Sequence, residues 1–235
     1  MIKFEHTEVV GWEHAIRGMR NPMNSWENSD SEFCYHLNCM ECNSIPSECL
    51  GFELGPNDLD LMKRLVKVGT DHRKFMRMIV VYVDITAPLY WWKEMDQYRI
   101  GVTTNSCSTM HKIHEKEFNI DDFSHEHILC GYNSKAGDFT WGDTFPMYIL
   151  ESTIANLNFC RRKYLETKDK RWWYQMIQLL PSSYNQKRTV MLNYEVLANI
   201  YKSRRNHKLD EWVELCKWIE TLPYSELITG EMEDV

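Results

Sequence analysis

Along most of the chain, apolar residues either recur at helical spacing or run together, and the switches between these patterns mark the elements. Val9 to Met19 is a short amphipathic segment, ended by Pro22 and the polar run Asn24 to Asp30. Asn57 or Asp58 can cap a helix that runs through Leu59, Leu61, Met62, Leu65 and Val66 to Val68, with Gly69 at its end. A polar loop, Thr70 to Lys74, carries His72. Met78 to Ile85 is β-branched and apolar, which predicts a buried strand. The chain then turns at Ala87-Pro88 and passes through Leu89-Tyr90-Trp91-Trp92 into the charged residues Lys93 to Arg99. A loop of small polar residues follows, Gly101 to Thr109.

The 111–150 region is mixed, with a glycine-containing turn region at 133–143. Met147 to Glu166 reads as a long helix, with Ile149, Leu150, Ile154, Leu157 and Phe159 as its apolar positions. A charged connection, Lys168 to Arg171, leads into a further helical stretch, Trp172 to Leu179. Leu180-Pro181-Ser182-Ser183 is a break, and Val190 to Lys202 and Asp210 to Thr221 read as two more helices. No repeat or linker interrupts the pattern. The expected architecture is one domain over residues 1–235, of α/β (α+β) class, with a central sheet flanked by dominant helices.

Composition narrows the function classes. With 43% hydrophobic residues in 235, the chain can bury a sizeable core. A net charge of −7 argues against a non-specific nucleic-acid or membrane-surface binder, but leaves room for a local basic pocket. No apolar run reaches the length of a membrane span, and the N-terminal segment has no signal-like apolar core, so the expected location is the cytoplasm. Eight cysteines then read as thiols or metal ligands rather than disulfides. Cys39 and Cys42 have the two-residue gap of a zinc pair, and Cys34 and Cys49 would complete the site; free thiols are the alternative. His111 with His114, and His125 with His127, lack a third ligand at a matching spacing.

The candidate chemistry concentrates in Ile85 to Met110. Apolar support, clustered polar groups and a loop of small hydrogen-bonding residues are what a phosphate or nucleotide site needs, because small residues admit the ligand to the backbone and their N–H and O–H groups donate. A second constellation lies near the C-terminus. If Asn193 to Arg204 is helical, the two residues fall within about 20° of each other on one face. Arg204 can pair with a phosphate or with charge developing on a substrate ring, or it can simply complement a helix C-terminus.

In order and spacing these stretches resemble the flavin-dependent thymidylate synthases over most of the chain. His14-Ala15-Ile16-Arg17-Gly18 is similar to that family's Ala-Ala-Arg-Val-Ser segment, and His72, the strand and Ala87-Pro88 match its loop histidine, strand and Ala-Pro turn. The family signature is Arg-His-Arg, seven residues, then Ser. Here it reads Gln97-Tyr98-Arg99, then Cys107, with Ile100-Gly101 following the triplet. Leu180-Pro181, Asn193, Asn199 and Arg204 reproduce the family's C-terminal spacing without a gap.

The resemblance implies a homotetrameric methyltransferase that makes dTMP. FAD would carry hydride from NADPH, methylenetetrahydrofolate would give the one-carbon unit, and dUMP or a related pyrimidine nucleotide would accept it. By carry-over, His72, Gln97, Tyr98, Arg99, Asn105, Asn193 and Asn199 face the flavin. Glu94, Arg99, Cys107, Ser108 and Arg204 lie near the nucleotide, with Arg204 promoting ionisation of the uracil.

The departures are specific. The signature's first Arg is Gln97, its His is Tyr98, and its Ser falls on Cys107 unless a one-residue shift makes it Ser108. An acidic loop residue falls on Asn105, and two further expected arginines fall on Thr109 and Ile177. Each charge-assisted contact is worth about 1.5–3 kcal/mol, so losing two without compensation weakens binding by roughly 10²–10⁴-fold. Arg73, Lys74, Arg77, Lys93 and Arg205 are candidate replacements. The alternatives to an enzyme are a non-catalytic descendant that binds a nucleotide or a protein partner, and a zinc-stabilised interaction protein built on the four cysteines.

Overall fold

The computed structural model describes residues 2–33, 51–129 and 145–230. Cys34, Cys39, Cys42 and Cys49, and the 133–143 turn region, lie outside the described residues. In chain order the elements are β1 (Lys3–Val10), α1 (Trp12–Arg20), β2 (Glu32–Phe33), β3 (Phe52–Glu53), α2 (Pro56–Val68), β4 (Val80–Pro88), α3 (Leu89–Met95) and β5 (Thr103–Ser106). They continue with α4 (Pro146–Thr167), α5 (Lys170–Leu179), β6 (Asn185–Asn193), α6 (Tyr194–Arg204), α7 (Asp210–Glu220) and α8 (Glu226–Thr229). Short 3₁₀ turns punctuate them, one at Lys74–Arg77. Four strands form one sheet in the order β1-β4-β6-β5, and β2 and β3 form a separate antiparallel ribbon with Phe33 opposite Phe52. This is the expected mixed α/β architecture. No helix among the described residues is long and apolar enough to cross a membrane.

Burial explains which strands showed in the sequence. Val81, Val83 and Ile85 of central β4 are at most 1% exposed, so that strand must be apolar. β1 and β5 are the sheet's edges and are mostly exposed, β5 entirely, so their sequences, KFEHTEVV and TTNS, need no apolar stripe. Four element expectations are therefore corrected. Val9 and Val10 end β1, and the helix starts at Trp12; the Gly101–Thr109 loop contains β5. Val190 to Asn193 belong to β6, and helix begins at Tyr194. β4 runs through Ala87-Pro88 directly into α3, since the φ of −67° at Pro88 suits both the strand end and the helix N-cap. The long helix after Pro146 is as expected.

The chain divides into two compact units. One comprises residues 1–5, 84–99 and 104–190. Within it α4 packs on α5, and Leu150, Leu157 and Cys160 from α4 meet Met176, Ile113, Phe118 and Phe123 in a buried cluster. Asn158 holds Phe118 at both backbone atoms, accepting from its N–H at 2.9 Å and donating to its carbonyl at 2.8 Å.

The other unit comprises residues 6–83, 100–103 and 191–235. Here α6 packs on α7, α8 and the Lys74–Arg77 turn. Trp12 stacks on Phe52 at 4.8 Å and meets Tyr194 and Tyr224 edge-on. α2 enters at Gly55, which has no side chain to cap with. The cap comes from Asp30, whose carboxylate accepts from the N–H groups of Asn57 (2.9 Å) and Asp58 (3.1 Å). A Cβ on Gly55 would lie 2.3 Å from that carboxylate, so glycine is what admits it. Neither Asn57 nor Asp58 is the cap, contrary to the sequence expectation. Asp30→Ala is expected to cost about 0.5–2 kcal/mol, read as a lower urea midpoint at unchanged slope.

Candidate functional site

The signature residues follow α3 as its exit turn. Asp96 caps the helix, Gln97 N–H donates to Glu94 O at 3.1 Å, and Tyr98 N–H to Met95 O at 3.0 Å. This turn leaves Gln97 and Arg99 exposed and Glu94 and Tyr98 half-buried. Arg99 Nε donates to the Asp96 carbonyl at 3.3 Å. Asn105 on β5 and Cys107 and Ser108 just beyond it are also exposed. The Cys107 N–H donates to Lys187 O at 2.9 Å, and Ser108 Oγ accepts from the N–H groups of His111 (2.9 Å) and Met110 (3.3 Å). Seven of the sequence-proposed residues, Glu94 to Arg99 and Asn105 to Ser108, are thus gathered in one unit by the segment from the end of α3 to the end of β5.

The remaining four, His72, Asn193, Asn199 and Arg204, belong to the other unit. Asn193 is the N-cap of α6: its Oδ1 accepts from Val196 N–H at 3.0 Å. It stands one residue before the helix, so the common face read from helical phase does not apply to it. Only its amide NH₂ is left to donate. Gly101, with φ +76°, sits beside that amide, and a Cβ there would lie 3.0 Å from Nδ2 and 3.1 Å from Val196 Cγ2. Glycine at 101 is required by the left-handed backbone and by the Asn193 side chain together. Asn199 projects from α6 into solvent, and its carbonyl accepts from Ser203 Oγ at 2.9 Å.

His72 is exposed, and its neighbour Arg73 is anchored. Arg73 Nη2 donates to Glu195 Oε1 at 3.0 Å. Arg73 Nε lies 2.9 Å from Glu195 Oε2, close enough for ion pairing but out of line for a hydrogen bond. Glu195 is 6% exposed and occupies the first turn of α6, two residues past Asn193. The pair ties the His72 loop to the start of α6. It also removes Arg73 from the candidate replacement cations, because its charge is already matched.

Arg204 is the last residue of α6. Its guanidinium carbon stands 4.5 Å from the ring centre of fully buried Trp212, a cation–π contact that orients the fork.

Three residues that sequence reasoning did not single out prove structurally committed here: Glu195, Gln186 and Arg188. Gln186, Lys187 and Arg188 lie between the Leu180–Ser183 break and the helix expected from Val190, a stretch to which the sequence pattern assigned no element. They are the first half of β6, with Gln186 buried and Arg188 half-buried. The only available signal was that a strand ending in Val190-Met-Leu192 could extend backwards. No group of three or more metal-ligating side chains occurs among the described residues, including His111, His114, His125 and His127. A cleft of about 960 Å³ is lined by Arg20, Met23, Asp30, Leu61, Arg64 and others, and none of the sequence-proposed residues contributes to it.

No protein-family model matches the chain, and no curated protein does. Solved structures do. Two crystal structures of thymidylate synthase X (ThyX) from Helicobacter pylori, both with FAD and dUMP, match at TM-scores of 0.61 and 0.62 and 16% identity. Each match covers 98% of this chain, and 96% and 97% of the respective ThyX chains. The UMP/dUMP methylase PolB from Streptomyces cacaoi, bound with 5-Br dUMP, matches at a TM-score of 0.52 and 13% identity, over 94% of this chain and 88% of its own. Identities this low speak to architecture, and over nearly its whole length the chain has the fold of the flavin-dependent thymidylate synthases.

Proposed function

We propose that the protein is a divergent flavin-dependent methyltransferase of a pyrimidine nucleotide. It takes dUMP or a close relative as acceptor, methylenetetrahydrofolate as one-carbon donor, and NADPH as the source of reducing equivalents. We further propose a cytoplasmic homotetramer. The observation that carries the reading is the near-complete match of fold to enzymes solved with FAD and dUMP, and with 5-Br dUMP.

The polar groups available fit a flavin. His72, Gln97, Arg99, Asn105 and Asn199 are exposed, and Asn193 keeps a free amide donor beside Gly101. Together with Tyr98 these residues would hold FAD, whose neutral carbonyls and ring nitrogens call for such donors and whose pyrophosphate would fall to Arg99. FAD, when bound, supplies the hydride that reduces the transferred carbon. Glu94, Arg99, Cys107 and Ser108 hold and orient the nucleotide. Arg204 places a fixed positive charge where the pyrimidine ring becomes anionic.

A binding role without turnover is the second reading, and one observation favours it. Arg73, a candidate replacement for the arginines missing at Gln97, Thr109 and Ile177, is matched by Glu195, and Arg188, a further cation, is matched by Asp96. The visible absorbance spectrum of the purified protein, before and after adding FAD and then dUMP, separates the readings. The expected result is a bound-flavin spectrum that changes when dUMP is added. A colourless protein that takes up no flavin overturns the enzyme. If such a protein still binds dUMP in calorimetry, the second reading replaces the first.

A further inference from the structure

We propose that Gln186 and Arg188 are positioning residues that staple both ends of the 97–106 segment to β6. In this way they set the geometry of the candidate nucleotide-binding groups. The ligand half of the proposal rests on the functional reading above; the staple itself does not.

At the far end of the segment, Gln186 Nε2 donates to Cys107 O at 2.7 Å, next to the Cys107 N–H bond to Lys187 O at 2.9 Å. At the near end, Arg188 Nη1 lies 2.6 Å from Asp96 Oδ1, with its guanidinium carbon 4.1 Å from the centre of the Trp92 ring. The two ends are coupled, because Arg188 Nε donates to Gln186 Oε1 at 3.0 Å. The Gln186 backbone carbonyl accepts from Trp92 Nε1 at 3.0 Å, which fixes the strand under both contacts.

The chemistry permits one arrangement. An arginine Nε is always a donor, so the oxygen of the buried Gln186 amide must face it. The amide NH₂ is thereby forced towards the Cys107 carbonyl. A flipped amide would oppose two donors at one end and two acceptors at the other, with Gln186 only 6% exposed and little water to relieve either. Arg188 thus sets the amide, the amide sets Cys107, and the Asp96 pair sets the start of the same segment. Lysine could not replace Arg188, since stacking on Trp92 while bonding in two directions needs a planar fork.

The test is Gln186→Glu. The substitution is nearly isosteric and keeps an acceptor for Arg188, but it turns an acceptor against the Cys107 carbonyl. Two readouts are taken: amide hydrogen exchange of residues 103–108 in the ligand-free protein, and the Kd for dUMP in the presence of FAD. We expect exchange to accelerate by about tenfold or more and the dUMP Kd to rise by about tenfold, the loss of one such bond. The Kd for FAD measured alone should rise less, because Asn105 alone of the groups assigned to the flavin lies within residues 103–108. Arg188→Lys should reproduce the exchange effect, and it guards against a folding defect peculiar to the glutamate. Unchanged exchange in both variants overturns the staple. Faster exchange with an unchanged dUMP Kd overturns the positioning role. Failure of the functional reading is distinguishable, because the wild-type protein itself would then take up no FAD, while its exchange pattern still decides the staple.

Discussion

Asp58→Ala is expected to lower the stability of the protein by about 3–5 kcal/mol, the cost of stranding a buried charge. Asp58 is fully buried, and Arg20, at 4% exposure, is nearly so. Arg20 Nε donates to Asp58 Oδ1 at 2.6 Å. The other carboxylate oxygen accepts from Ser31 Oγ (2.6 Å), Ser29 Oγ (2.7 Å), and the N–H groups of Asp30 and Ser31 (both 3.2 Å). Alanine would leave a guanidinium and these donors without an acceptor, and would reduce the ties between the 24–31 loop and α2 to the Asp30 cap. For a chain of this size, each kcal/mol shifts Tm by about 2–4 °C, so the fall should be about 6–20 °C by calorimetry.

The pH dependence follows from the same contacts. Burial alone would push the Asp58 pKa up, but the hydroxyls of Ser31 and Ser29 and the hydrogen bond and charge of Arg20 outweigh it and hold the carboxyl below its ordinary value. A depressed folded-state pKa means that the unfolded chain binds the proton more readily. The carboxylate's contribution is therefore complete above the unfolded pKa of about 3.9 and is lost as pH falls through the lower, folded value. The stability gap between wild type and Asp58→Asn should be flat across neutral pH and narrow only in acid. A gap of less than 1 kcal/mol at pH 7 would mean that the Arg20–Asp58 pair does not hold the loop.

Asp58 also marks where sequence reading ended. A polar residue at the start of an apolar-periodic run reads as a cap, and nothing local reveals that Asp30, distant in sequence, caps the helix and frees Asp58 to turn inward. What was legible was set by burial pattern alone: central β4, the long α4, and α2 and α7 each carry an apolar stripe because one face is covered. The edge strands β1 and β5 carry none. The first half of β6 was hidden for a different reason, since its inward residues, Gln186 and Arg188, are polar and satisfied by one another and by Asp96, Trp92 and Cys107. The candidate site divides in the same way. Family spacing singled out Arg99, Asn193, Asn199 and Arg204 as candidates, but spacing cannot tell a ligand donor from a helix cap. It therefore missed that Asn193 Oδ1 is already engaged by the Val196 N–H and that Arg73 is bound to Glu195.

Arg204→Gln is expected to reduce kcat by about 10²–10³-fold, the usual cost of removing one preorganised group that stabilises developing charge, while FAD remains bound. The expectation depends on how the guanidinium is held. Its cation–π contact with Trp212 fixes the direction of the side chain, so the charge it presents is held in place before any substrate arrives. Glutamine keeps a polar, similarly long side chain and removes only the charge and the fork. Losing the contact with Trp212 should cost about 0.5–2 kcal/mol, a shift of a few degrees in Tm that cannot by itself account for a hundredfold loss of turnover. Arg204→Lys restores the charge without the planar geometry, so recovery of part of the rate would assign the effect to charge and no recovery would assign it to the fork. Flavin binding, read from the visible spectrum, should be unaltered in both variants, because Arg204 is assigned to the nucleotide. Turnover equal to wild type in Arg204→Gln would remove Arg204 from the chemistry and leave it a helix-terminal cation packed on Trp212.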